Sequence, residues 1–253
     1  MNEYQVFADF YDSLTENVDY SGQADRLLSL FAKHRAMPST LLDLACGSGS
    51  LCVELSRRGI EMIGVDNSAD MLLKAREKAA ATGIDALFLQ QDMRELDLYG
   101  TVQGAVCMLD SLNHLTKTDD LLTVFRRLSL FVEPKGLLLF DVNTPYKHRY
   151  VLGNNAYVIE QDGLVCAWRN RLIDKTCEVE EWLDFFVQDE DGRYTRYDDT
   201  VRERAYAEAT LTKLLKQADF EVLAVYDGDT GEAPIDTTQR WLFVARNDTK
   251  NYG

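Results

Sequence analysis

The chain has 253 residues, 46% of them hydrophobic and 27% charged, the balance of an ordinary globular protein able to bury a full core and not that of a disordered or fibrous chain. Its 27 lysines and arginines stand against 42 aspartates and glutamates, a formal charge of −15, and such a field repels phosphate backbones and anionic membranes, which argues against nucleic acid as a partner. No apolar run reaches the roughly eighteen residues of a membrane helix, and Met1-Asn2-Glu3-Tyr4 has neither the basic nor the apolar region of a secretion signal, so a cytoplasmic protein is expected, with no membrane partner.

After an aromatic-rich N-terminal stretch, the spacing of Ala24, Leu27, Leu28, Leu30 and Phe31 predicts a helix over 24–35, closed by Pro38. A short buried strand follows at 41–45, then a helix from about Ser50 to the Arg57-Arg58-Gly59 stop, and a second strand at 61–65. Ser68 caps a helix that runs to about Ala81 and ends at Thr82-Gly83, and a third strand covers 86–90. A fourth strand at 103–108, a helix at 117–131, the turn Glu133-Pro134-Lys135-Gly136 and a strand at 136–142 continue the alternation. Short apolar strands spaced by amphipathic helices predict a doubly wound, Rossmann-like α/β sheet, parallel and covered on both faces.

The period then changes. Strand patterns at 157–160, 164–173, 177–187 and 194–204 are separated by Gln161-Asp162-Gly163, Asp174-Lys175-Thr176 and Asp189-Glu190-Asp191-Gly192, which are hairpin turn signals. They predict an antiparallel meander inserted into the α/β core, which resumes with a helix at 207–218 and strands at 220–226 and 240–246. The expected organisation is a first part of the core at 1–150, an inserted β subdomain serving as a substrate lid at 151–205, and a completing helix and strands at 206–253. Trp168, Trp182, Phe185, Phe186, Tyr194 and Tyr197 of the meander either wall a pocket or form its own small core.

Five cysteines without a C-x-x-C pair read as buried thiols, and three scattered histidines leave no helical metal pair. No metal is expected. Arg193, Arg196, Arg202 and Arg204 are interleaved with acids, the pattern of a solvated strand pair and not of a phosphate-binding face.

In a doubly wound sheet the ligand lies beyond the carboxyl ends of the strands, and the loop after the first strand is its floor. That loop is Asp43-Leu44-Ala45-Cys46-Gly47-Ser48-Gly49. Gly47 and Gly49 permit a tight turn and close approach of a ligand to the backbone. A dinucleotide fingerprint would have a third glycine where Cys52 stands, and Asp43 ill suits a pyrophosphate; no Gly-Lys-Ser/Thr follows, so a P-loop is excluded. A ligand with a nucleoside at one end and a zwitterionic amino acid at the other fits better. Asp43 would attract its ammonium, Asp66 at the end of the second strand would accept from both ribose hydroxyls, Asp92 would accept from the adenine amino group, and Met93 would pack on the ring.

The segments LLDLACGSGSL (41–51), IGVDNSADML (63–72), Gln91-Asp92-Met93 and LLLFDVN (137–143) resemble, in order and spacing, the motifs of class I S-adenosylmethionine-dependent methyltransferases. The likeness spans about residues 4 to 246, and the inserted meander with a returning helix and strands is similar to small-molecule N-methyltransferases, including those acting on amino sugars. The resemblance implies that S-adenosylmethionine is contacted by Tyr20, Ala45, Gly47, Asp66, Asn67, Met71, Asp92, Met93 and the backbone near Leu109. It departs at Ala45, where many relatives have glycine; a methyl group is tolerated there if the backbone angles are ordinary.

Methyl transfer requires a nucleophile aligned with the methyl group and water kept out. After the fourth strand, Asp110 and Asn113 are candidates to bind the acceptor. His114, with an unperturbed pKa of about 6.5, is a candidate base, against the alternative that it packs on the following helix. Tyr11 is a candidate for lining the transfer site, against the alternative of simply packing the N-terminal segment. The expected acceptor is a small molecule methylated at nitrogen or oxygen by a monomer or homodimer; an RNA or protein acceptor, an S-adenosylmethionine-binding protein without catalysis and a dinucleotide-dependent reductase are the other readings.

Overall fold

The computed structural model describes residues 18–161 and 163–249. The first half alternates α1 (Tyr20–Lys33), β1 (Thr40–Leu44), α2 (Ser50–Arg57), β2 (Glu61–Asp66), α3 (Ala69–Thr82), β3 (Leu87–Gln90), β4 (Val102–Cys107), α4 (Thr118–Phe131) and β5 (Val132–Asn143). Local chemistry sets the ends. The Asp19 carboxylate accepts from Gly22 N at 2.8 Å ahead of α1, Ser68 Oγ accepts from Met71 N ahead of α3, and Gly83 closes α3 with φ at +68°, a conformation glycine adopts without penalty. Asp119 and Asp120 occupy the first turn of α4, where the exposed N–H groups favour negative charge. The turn expected at 133–136 is instead an irregularity inside β5: Val132 pairs with Val102, pairing resumes at Gly104 with Leu137, and Lys135 takes a φ of +71°.

The chain closes with α5 (Glu208–Gln217), β10 (Phe220–Asp227) and β11 (Arg240–Asn247). The central sheet has the order β10-β11-β5-β4-β1-β2-β3, parallel except that β11 runs antiparallel between its two neighbours. The chain fills one side of β1 with β2 and β3 and then crosses to place β4 on the other side. The reversal opens a crevice at the carboxyl ends of β1 and β4, and the loops that follow these strands carry residues 45–49 and 108–114.

Successive residues of the sheet feed opposite layers. Leu138, Phe140 and Val142 of β5 pack with Phe125 of α4 and Leu211 of α5 on one face, whereas Leu137 and Leu139 pack with Phe31 of α1, Leu55 of α2 and Ala75 of α3 on the other. Phe140 stacks on Phe243 with ring centroids 4.8 Å apart. Each such buried side chain contributes about 1.5–3 kcal/mol relative to exposure. No helix among the described residues is long and apolar enough to cross a membrane.

The second sheet is antiparallel, β6 (Ala156–Gln161), β7 (Leu164–Ile173), β8 (Glu178–Gln188) and β9 (Tyr194–Arg204) in sequential order. It is entered through a π-helical turn at Lys147–Leu152 that carries no clear sequence signal. Strand alternation divides the meander's aromatics. Trp168 and Phe185 face the cavity, Tyr197 joins their small cluster, Trp182 lies under the Arg171 guanidinium and Tyr194 is exposed. On the outer face Asp184 is clasped by Arg169 and Arg196, and Glu180 by Arg171 and Arg202, so Arg196 and Arg202 of the interleaved arginines are spent on neighbouring acids, whereas Arg204 donates to the Thr116 carbonyl.

Candidate active site

The loop after β1 is held by β2. Gly47 N donates to Asp66 Oδ2 at 2.8 Å and Ser68 N to Asp66 Oδ1 at 2.9 Å, so one carboxylate ties the glycine loop to the start of α3. Gly49 precedes α2 with a φ of +75°, and a Cβ there would lie 2.8 Å from that of Ala75, so this glycine serves helix packing and does not line the cavity. Ala45 corrects the expectation of ordinary angles. Its φ is +61°, a left-handed conformation that strains an L-residue by roughly 1 kcal/mol. Ala45→Gly should therefore raise ligand-free stability by about 0.5–1 kcal/mol in urea unfolding, and a loss of stability would show that the alanine methyl is needed for packing.

A cavity of about 890 Å³ lies between the central sheet and the meander. Ala45, Gly47, Asp66, Asn67, Met71, Asp92, Met93, Leu109, Asp110 and His114 all line it. A narrow crevice that shares Ala45 and Leu109 with the cavity is lined by Tyr20 and Asp43. Asp43 is 2% exposed; its Oδ2 accepts from Cys52 Sγ at 3.2 Å. Burial, opposed by that thiol and aided by Asp66, pushes the Asp43 carboxyl up to about 7. Asp92 already accepts from the Arg94 backbone and guanidinium, and this side-chain pairing holds its carboxyl below the usual range.

Past β4, Leu109 and Asp110 both adopt positive φ, +55° and +54°. The strain is held by a polar junction: Arg240 Nη1 donates to Asp110 Oδ1 at 2.9 Å and Asp141 Oδ1 at 3.0 Å, Asp110 N donates to Asp141 Oδ1, and Asn143 Nδ2 donates to Asp110 Oδ2 at 2.6 Å. Burial works against the charge on Asp110, yet Arg240, Lys147 and His114 prevail and lower its carboxyl. His114 ends a 3₁₀ turn with half its side chain exposed, and its Nε2 lies 3.8 Å from Glu203 Oε1. Asn113 does not reach the cavity. It is wholly buried, its Nδ2 donates to the Asn143 and Arg204 carbonyls and its Oδ1 accepts from Asn143 N, so every polar atom is committed to joining β5 to β9. Tyr11 lies outside the described residues.

Three residues that the sequence reading did not single out complete the cavity: Glu181, Glu203 and Arg240. Glu181 shares the inward face of β8 with Val179, Leu183 and Phe185, and an acid on an apolar strand face was the signal available for it. Glu203, 5% exposed, accepts from Asn143 Nδ2 at 3.1 Å and lies 3.5 Å from His148 Nε2. Among the described residues no group of acids, cysteines and histidines is arranged to hold a metal.

Residues 41–136 match the family model for a methyltransferase domain. A protein of Geobacillus sp. (strain WCH70) whose name calls it a methyltransferase, with no acceptor given, is 32% identical over 96% of this chain and 99% of its own length. The crystal structure of an S-adenosylmethionine-dependent methyltransferase from Clostridium acetobutylicum ATCC 824 superposes with a TM-score of 0.88 at 30% identity, covering 98% of this chain and 100% of that one. The dTDP-3-amino-3,4,6-trideoxy-alpha-D-glucopyranose N,N-dimethyltransferase of Streptomyces venezuelae is 26% identical over 86% of this chain and 88% of its own.

Proposed function

Because the chain belongs to the class I S-adenosylmethionine-dependent methyltransferases, we propose that it methylates the nitrogen of a small-molecule acceptor held between the central sheet and the meander. The observation that carries this reading is the acceptor end of the cavity, where Asp110, Glu181 and Glu203 converge. Carboxylates gathered there attract and orient an amine, and they give a phosphate backbone nothing to hold. The amino-sugar N-methyltransferase among the relatives acts on nitrogen by its name.

The residues fit the cofactor. The carboxylate of Asp66 at the second strand end suits a ribose diol, Asp92 and Met93 suit an adenine, Asn67 and Met71 flank them, and Gly47, Ala45, Leu109, Tyr20 and Asp43 line the floor and crevice where an amino-acid moiety would sit. Bound there, S-adenosylmethionine supplies an electrophilic methyl group on a sulfonium. The protein's task is to orient the acceptor, exclude water with the meander, and receive a proton if the nitrogen arrives charged. His114 and the acids around it are the groups in place to do so. The five free thiols suit a reducing compartment, which makes the cytoplasm its place in this reading.

Two measurements test it. S-adenosylhomocysteine at a hundred times its dissociation constant should stabilise the protein by about 2.7 kcal/mol, whereas NAD should leave the thermal midpoint unchanged. Incubation with methyl-labelled cofactor and fractionated cell extract should place the label in the small cationic metabolites. Label confined to RNA or protein would overturn the acceptor assignment.

A further inference from the structure

Glu181 is 7% exposed, sits on the cavity wall beside Trp168, Leu183 and Phe185, and lies opposite Asn170 of β7 and Val201 of β9. The acids near it are engaged: Asp110 by Arg240 and Asn143, Glu203 by Asn143. Among the described residues the Glu181 carboxylate accepts no hydrogen bond and forms no ion pair. Buried polar groups are nearly always satisfied, and one left open toward a cavity points to a partner that arrives with the ligand.

We infer that Glu181 receives the acceptor nitrogen and takes its proton, and that the acceptor is an amine on an apolar, uncharged body, not a nucleotide-linked or phosphorylated molecule. This rests on the N-methylation reading above. An alkylamine in neutral water is an ammonium and has no lone pair to offer. Transfer of one proton to the carboxylate breaks an N–H bond, leaves its electron pair on nitrogen and forms the Glu181 O–H, so a cation and an anion become two neutral groups and the nitrogen becomes a nucleophile. An ordinary carboxyl is too acidic to hold that proton. Burial first, then repulsion by Glu203 and Asp110, eased by Lys147, push Glu181 up to about 8. His114, Asp199 and Arg240 are the other titratable or charged groups of this part of the wall.

The exclusion of phosphate follows from the lining. Among the described residues seven carboxylates and three cationic side chains border the cavity. Arg94 is already held by Asp92 and Asp120, and Arg240 by Asp110 and Asp141, which leaves the exposed Lys117 as the one remaining cation of the three against seven carboxylates. Residues 1–17 contain no lysine or arginine. A pyrophosphate would meet a net negative wall, while the indole of Trp168 and the ring of Phe185 suit an apolar body flanking a cation.

The test uses the full chain saturated with S-adenosylhomocysteine and 2-phenylethylamine as the probe, titrated calorimetrically at pH 7.5 in two buffers of different ionisation enthalpy. With a Glu181 pKa of about 8, about three-quarters of the molecules carry a proton on this group before binding, and an ammonium arriving beside it should expel that proton, so up to about three-quarters of a proton is released. Glu181→Gln keeps the shape; it should retain its affinity for S-adenosylhomocysteine, lose the proton release and bind the amine about ten- to a hundredfold more weakly. 2-Phenylethanol should release no proton, and thymidine diphosphate should not displace the amine. Amine binding without proton release, equal binding by the glutamine variant, no amine binding up to 10 mM (on the order of a hundredfold weaker than a 0.1 mM site), or displacement by thymidine diphosphate would each overturn the inference. Failure of S-adenosylhomocysteine itself to bind would instead overturn the methyltransferase reading beneath it.

Discussion

Asp66→Ala should weaken S-adenosylhomocysteine binding about a hundredfold to ten-thousandfold. On the proposal that this carboxylate accepts from both ribose hydroxyls, two charge-assisted bonds at about 1.5–3 kcal/mol each are lost. The structure adds a second cost. Asp66 also receives Gly47 N at 2.8 Å and Ser68 N at 2.9 Å, so alanine frees the glycine loop from the start of α3 and removes the preorganisation of the cofactor floor. Asp66→Asn should fall between wild type and alanine, because the amide keeps one acceptor and turns a donor toward one of those two N–H groups. Calorimetry gives the affinities, and far-ultraviolet circular dichroism confirms the fold. A folded alanine variant with unchanged affinity would remove Asp66 from the site.

Asp43 should make the ligand-free protein less stable as the pH rises from about 4 to 7. Its folded value, pushed to about 7 mainly by burial, lies above the unfolded value of about 3.9, so in that window the folded chain binds more protons than the unfolded one. The stabilisation is complete below about pH 4 and is lost as the pH climbs through 7, amounting to up to about 4 kcal/mol. Asp43→Asn removes the ionisation, and its urea-unfolding stability should show a correspondingly flatter pH profile and exceed that of wild type at pH 8. The same substitution should weaken cofactor binding about tenfold, a loss of about 1.4 kcal/mol, if the crevice receives an ammonium, since that charge would restore the carboxylate. Parallel pH profiles for the two proteins would show that Asp43 is not the titrating group. A gain in stability accompanied by a loss of affinity is the signature of a charge buried for a ligand.

The sequence was most legible where the physics is local. Hydrophobic period separates α1 to α4 from the hairpins of β6 to β9, and Ser68 and Gly83 mark the ends of α3 by chemistry that acts within one turn. Asp66 and Asp92 could be placed at strand ends because Asp66 is the last residue of its strand and Asp92 stands two positions beyond the end of its own. The elements that lacked a signal are those stabilised from elsewhere. The π-helical turn at Lys147–Leu152 is anchored by His148, whose Nδ1 donates to the Cys177 carbonyl, and β5 continues through Pro134 because Val132 finds Val102 on the neighbouring strand.

What the sequence determined by itself was the class of fold and the family, since strand–loop–helix order and the loop 43–49 are contiguous in the chain. Tertiary structure decided who faces the cavity. Asn113 and His114 are neighbours in sequence, yet Asn113 is consumed by the Asn143 and Arg204 backbones while His114 opens toward Glu203. Ala45 gives no sign of its left-handed angle, which the passage from β1 to the Gly47–Asp66 bond imposes on it. Arg240 reaches Asp110 from 130 positions away, and Glu181 meets the loop after β4 only because the second sheet folds back over the first. Propensity and period act over a few residues, whereas burial, pairing and pKa depend on groups brought together by folding, and no local pattern records which groups those will be.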